Sequence, residues 1–96
     1  QWVDAPPRED AFVVNVGDML HRMSNSKLLS TPHRVINTTG RERYSVPFFF
    51  DPNVSTTIEP LAGTGPAKFK PVNFGAFLKN ELEASYDAHQ ADRPDP

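Results

Sequence analysis

Short apolar runs punctuated by prolines and glycines dominate the first fifty residues, a texture of brief strands joined by turns more than of a helical bundle. Phe12-Val13-Val14-Asn15-Val16 is rich in strand formers and stops at Gly17-Asp18, so it predicts a strand ended by a turn. Upstream, Trp2 to Ala5 predicts a further extended segment closed by Pro6-Pro7. Met19 to Ser24 fits a helical turn and a strand equally, and Ser24-Asn25-Ser26 reads as a loop. Thr31 to Thr38 and Arg43 to Phe50, separated by Thr39-Gly40-Arg41-Glu42, read as successive strands. Local turn chemistry alone favours a hairpin with a Thr38-Thr39-Gly40 loop, Asn37 facing Arg41, Val35 facing Arg43 and His33 facing Ser45.

After Phe50 the pattern changes. Asp51-Pro52-Asn53 is a turn signal, and residues 60–71 are too broken by proline and glycine for regular structure. Asn73 then stands where a helix cap belongs, because Phe74, Phe77, Leu78, Leu82 and Tyr86 recur at helical spacing with Lys79, Asn80, Glu81 and Glu83 on other faces. Residues 89–96 lack apolar anchors and end in Arg93-Pro94-Asp95-Pro96, which predicts a frayed polar tail. The expected organisation is therefore one domain over residues 1–88, mainly β with one C-terminal α-helix, and a tail over 89–96.

Composition narrows the function classes. At 96 residues the chain has room for one modest core. Charged residues make up 23% of it and the formal charge is −2, without the basic excess that nucleic-acid binding requires. No apolar stretch approaches a membrane span, and Gln1-Trp2-Val3-Asp4 has neither a basic nor an apolar leader region. The expectation is no nucleic-acid partner, no membrane and, by default, a cytoplasmic location. Cysteine is absent, which removes disulfides and thiolate metal sites from consideration.

The candidate chemistry lies in a few polar residues inside apolar strand runs. His33, between Pro32 and Arg34, can be a metal ligand, a general base or a hydrogen-bonded structural group. Arg43 and Ser45 stand two residues apart, so strand alternation puts both side chains on one face. A planar guanidinium fork beside a hydroxyl suits a carboxylate, and the apolar run Val46-Pro47-Phe48-Phe49-Phe50 would bury that face and make an unpaired cation costly. The bland alternative is that Arg43 pairs with Glu42 or Asp51, or reaches solvent.

Taken in order, Asn15-Val16-Gly17-Asp18-Met19-Leu20, Ser24-Asn25, Ser30-Thr31-Pro32-His33-Arg34-Val35 and Arg43-Tyr44-Ser45-Val46-Pro47-Phe48-Phe49 resemble the C-terminal half of the isopenicillin N synthase-like oxygenases in sequence and spacing. The resemblance covers residues 1 to 88. It implies the C-terminal part of a double-stranded β-helix, or jelly roll, whose strands 31–38 and 43–50 belong to opposite sheets. It also implies His33 as the distal iron(II) ligand, with Arg43 and Ser45 holding the far carboxylate of 2-oxoglutarate. His21 and His89 match no ligand of that family and read as surface or structural residues. The activity implied is that of an iron(II)- and 2-oxoglutarate-dependent dioxygenase, which uses dioxygen to hydroxylate, desaturate or cyclise a small organic substrate.

One departure from the family is large. No His-x-Asp occurs in the chain, since His21, His33 and His89 are followed two residues on by Met23, Val35 and Ala91. A facial triad of two histidines and a carboxylate is what holds iron(II) with open positions. The reading is therefore a piece of an enzyme cut downstream of two of its three ligands, inactive alone and expected to self-associate. Two other readings stay open: a non-enzymatic jelly-roll binding module, and a family relative that keeps Arg-x-Ser without using 2-oxoglutarate.

Overall fold

The structure is a computed structural model that describes residues 1–91. Its order of elements is a short helix α1 (Asp18–Met23), strands β1 (Thr57–Ile58) and β2 (Val72–Asn73), and a long helix α2 (Phe74–Ala91). β1 and β2 pair antiparallel, with Thr57 opposite Asn73 and Ile58 opposite Val72. The pairing continues into the helix entry. The Phe74 N–H donates to the Thr56 carbonyl at 2.9 Å, and the Gly75 N–H donates to the Val54 carbonyl at 3.0 Å.

The expected helix starts where its cap predicts. The Asn73 side-chain oxygen accepts the Ala76 N–H at 2.9 Å, satisfying one of the free donors of the first turn. Phe74 is 3% exposed and Ile58 2%, and these two apolar side chains form the core. Phe77 and Leu78 are half-buried, whereas Leu82 and Tyr86 on the same stripe face solvent. The helix runs to Ala91, past the boundary at residue 88 that the sequence suggests, and the rest of the expected tail, 92–96, lies outside the described residues. Lys79 and Glu83 face each other at 3.8 Å on its exposed side, a spacing worth little in water.

Met19 to Ser24, ambiguous in the sequence, resolves as α1 and its C-cap. Beyond it Asn25 and Ser26 take positive φ values of 53° and 64°, reversing the chain. Asn25 is 3% exposed and fully bonded. Its Nδ2 donates to the carbonyls of Thr64 and Pro66 at 3.2 and 2.8 Å, and its Oδ1 accepts the Lys68 N–H at 2.8 Å. The Leu61 N–H donates to the Met23 carbonyl at 2.9 Å, a further hydrogen bond between the proline-rich loop and α1. Arg22 closes the seam, its guanidinium 5.2 Å from the Phe69 ring centre and 5.3 Å from that of Phe77.

The expected strands 12–16, 31–38 and 43–50 are not strands in this structure. None belongs to a ladder, and Phe12, Val14, Phe48, Phe49 and Phe50 are exposed. The physical reason is partnership: a strand is stable only with a neighbour to take its backbone hydrogen bonds and a facing layer to cover its apolar side. The radius of gyration, 17.0 Å, exceeds the about 12.5 Å of a compact domain of this length. The mainly β architecture is thus reduced here to one two-stranded ribbon and the C-terminal helix.

The turn between 31–38 and 43–50 does form. Gly40 takes φ 69°, and the Asn37 Nδ2 donates to the Arg41 carbonyl at 2.6 Å, a side-chain bond across the bend and not the backbone pairing of a hairpin. The arms do not zip beyond it. Among the described residues no backbone hydrogen bond joins 31–36 to 42–50.

Candidate active site

Thr31 precedes a proline, which favours extended backbone there. The His33 Nδ1 lies 3.0 Å from the Thr31 carbonyl. A carbonyl only accepts, so the contact requires the proton on Nδ1, and in the neutral ring Nε2 then carries the lone pair. A histidine that ligates a metal through Nε2 commonly ties Nδ1 to a backbone carbonyl, and this local contact is compatible with that role. His33 is on the surface of the structure.

Arg43 and Ser45 are also exposed. Glu42, one of the internal partners the sequence offers Arg43, instead accepts from the Tyr44 hydroxyl at 3.0 Å. Among the described residues the one ion pair is Lys79 with Glu83, so Arg43 is paired with neither Glu42 nor Asp51. Its fork is available for a carboxylate from elsewhere. The structure does not bury the face on which the sequence places Arg43 and Ser45, because their segment is unpaired.

His21 is structural. Its Nδ1 donates to the Leu28 carbonyl at 2.9 Å, and its ring stands edge-on to Phe69 at 5.3 Å. The Ser24 hydroxyl supports the same loop, donating to the His21 carbonyl at 3.1 Å and accepting the Leu28 N–H at 3.0 Å. His89 belongs to α2. Sequence reasoning missed Asn25 as an organising residue; the signal was an asparagine between two serines just after an apolar helical turn, a common left-handed position.

Iron(II) needs more than one imidazole, and among the described residues no three histidine, cysteine, aspartate or glutamate side chains come together to hold a metal. His33 is one imidazole that such a site could use, and Arg43 and Ser45 are donors of the kind a carboxylate takes. No helix among the described residues is long and apolar enough to cross a membrane.

Comparison with known proteins accounts for this combination. The family model described as the 2OG-Fe(II) oxygenase superfamily matches residues 1–52, the segment that contains His33, Arg43 and Ser45. The chain belongs to that superfamily. It is 41% identical to the 2-oxoglutarate-Fe(II) type oxidoreductase hxnY of Emericella nidulans, over 95% of this chain and 27% of that protein. A homoarginine-6-hydroxylase of Glycine max is 37% identical over 90% of this chain and 28% of its own length. The 2-oxoglutarate-dependent dioxygenase traH of Penicillium crustosum reaches 58% identity over a shorter stretch, 52% of this chain and 15% of the relative. The chain thus spans about a quarter or less of the length of these relatives. No solved structure matches it.

Proposed function

We propose that this chain is the C-terminal part of the catalytic domain of a non-haem iron(II), 2-oxoglutarate-dependent dioxygenase that hydroxylates, desaturates or cyclises a small organic substrate. Residues 12–16, 31–38 and 43–50 are then strands of a double-stranded β-helix, with 31–38 and 43–50 in opposite sheets. Among the apolar side chains left in water along these segments, Phe49 shares by strand alternation the face of Arg43 and Ser45, the inner face such a fold would cover.

The observation that carries the reading is the match of the family model to residues 1–52, the segment in which His33 hydrogen-bonds through Nδ1 and Arg43 has no carboxylate partner among the described residues. His33 is one ligand of iron(II), and the other two come from a part of the family fold that this chain does not contain. Iron(II), when bound, supplies the activation of dioxygen. The work of this chain is binding and orientation. Thr31 fixes the His33 tautomer, Arg43 and Ser45 bind the far carboxylate of 2-oxoglutarate through fork and hydroxyl, and the phenylalanines exclude water from that ion pair.

The test is anaerobic calorimetric titration of the full-length protein with manganese(II), a redox-inert stand-in, and, on a separate sample loaded with iron(II), succinate measurement after adding 2-oxoglutarate and air. His33→Ala is expected to weaken metal binding by at least about tenfold without lowering the melting temperature of the metal-free protein. Unchanged metal affinity in that variant removes His33 from the site. Metal binding with no succinate from 2-oxoglutarate moves the protein to the relatives that use another reductant.

A further inference from the structure

A ligand histidine must present its free nitrogen in one direction, and the contact with the Thr31 carbonyl fixes the tautomer and part of the ring orientation while leaving open which side of the chain the ring occupies. The next residue addresses that. The Arg34 guanidinium carbon sits 4.4 Å from the ring centre of Trp2, a close cation–π stack between the start of the chain and the His33 segment. A second observation places the same two segments side by side: a shallow cleft is lined by Gln1 and Trp2 from one and by Thr31 and Pro32 from the other. Arg34 has no acidic partner among the described residues, so the indole is the group that holds it.

Consecutive side chains of an extended segment point to opposite sides. We propose that Trp2 and Arg34 are positioning residues for His33: the indole holds Arg34 on one side of the 31–38 segment, and this directs the His33 imidazole to the other. The inference rests on the reading of His33 as a metal ligand. Neither Trp2 nor Arg34 touches the metal. Their effect is on the fraction of time the imidazole is ready to ligate, and apparent affinity falls in proportion to that fraction.

The experiment uses the full-length protein, titrated anaerobically with manganese(II), together with the visible absorption of the cobalt(II)-loaded form. Arg34→Gln and Trp2→Ala are each expected to weaken metal affinity by about two- to fivefold, the scale of an exposed cation–π contact. The double variant should lose no more than either single one, because both remove the same stack. Arg34→Lys and Trp2→Phe, which keep a cation and a ring, should recover most of the affinity and of the cobalt(II) spectrum, whereas a general loss of folding would not be rescued this way. Arg34→Gln changes an exposed side chain, and a melting curve of the metal-free variant verifies that it folds. A folded Arg34→Gln with native affinity and spectrum overturns the proposal, as does strict additivity of the two single variants. His33→Ala, run alongside, separates the two levels. If it binds manganese(II) as the native protein does, the ligand reading fails and the positioning role falls with it; if it loses the metal while Arg34→Gln does not, the positioning role alone fails.

Discussion

Gly75 donates its backbone N–H to the Val54 carbonyl at 3.0 Å, and a Cβ built on Gly75 would lie 2.9 Å from that same oxygen. The entry of α2 is therefore docked on the 54–58 segment by backbone contact with no room for a side chain. Gly75→Ala sets two effects against each other. Alanine is favoured over glycine in a helix by about 1 kcal/mol, while forcing a methyl against a fixed carbonyl typically costs about 1–3 kcal/mol. The clash is expected to win, because its partner is backbone and cannot rotate away. Urea titration of the protein that carries this chain should show a lower midpoint for Gly75→Ala, and an equal or higher midpoint would mean that the helix entry is loosely docked.

Asn25 joins two requirements at one position, a left-handed backbone and three side-chain hydrogen bonds to residues 64–68. Asn25→Gly keeps the first and removes the second, and should cost about 1–3 kcal/mol for the buried groups left unpaired. Asn25→Ala removes the bonds and, unlike glycine, keeps a Cβ in the left-handed region, for about 1–2 kcal/mol more than Asn25→Gly. Hydrogen exchange provides the local readout: the Lys68 amide should lose protection in both variants. Equal stability of the glycine and alanine forms would show that the turn relaxes out of its left-handed conformation.

The anchor role of Arg43 depends on geometry as well as charge. Arg43→Lys retains the cation but loses the planar fork, and weakening a charge-assisted pair of this kind is worth roughly 2–5 kcal/mol. In the full-length protein the Michaelis constant for 2-oxoglutarate should rise by more than about tenfold, with manganese(II) affinity little changed. Saturation by 2-oxoglutarate that is indifferent to Arg43→Lys would end the assignment.

Phe48 and Phe50 are 88% and 95% exposed in the chain by itself. Covering such a side chain stabilises by roughly 1.5–3 kcal/mol, and a whole domain is stable by only about 5–15 kcal/mol. The isolated 96-residue chain is therefore expected to associate through these segments in sedimentation experiments. It is also expected to show no micromolar binding of iron(II) or manganese(II), because one ligand does not make a site. Tight 1:1 binding by a monomer, abolished by His33→Ala, would reveal ligands not recognised here.

Local chemistry was sufficient for some of this protein. Asn73 marked the start of α2, Asp51-Pro52-Asn53 and Thr38-Thr39-Gly40 marked turns, and the broken composition of 60–71 marked a loop, because each depends on a side chain bonding to backbone a few residues away. The motif that carries His33, Arg43 and Ser45 was equally legible, since family membership is written in residue types and spacing. Tertiary structure decided what short range cannot. α1 became a helix beside β1. Asn25 became the clasp for a loop some forty residues further on, by bonds that no local pattern announces. The segments 12–16, 31–38 and 43–50 stayed unpaired, because a strand takes its ladder and its cover from other segments, and alternating apolar residues specify a face without supplying the surface that buries it.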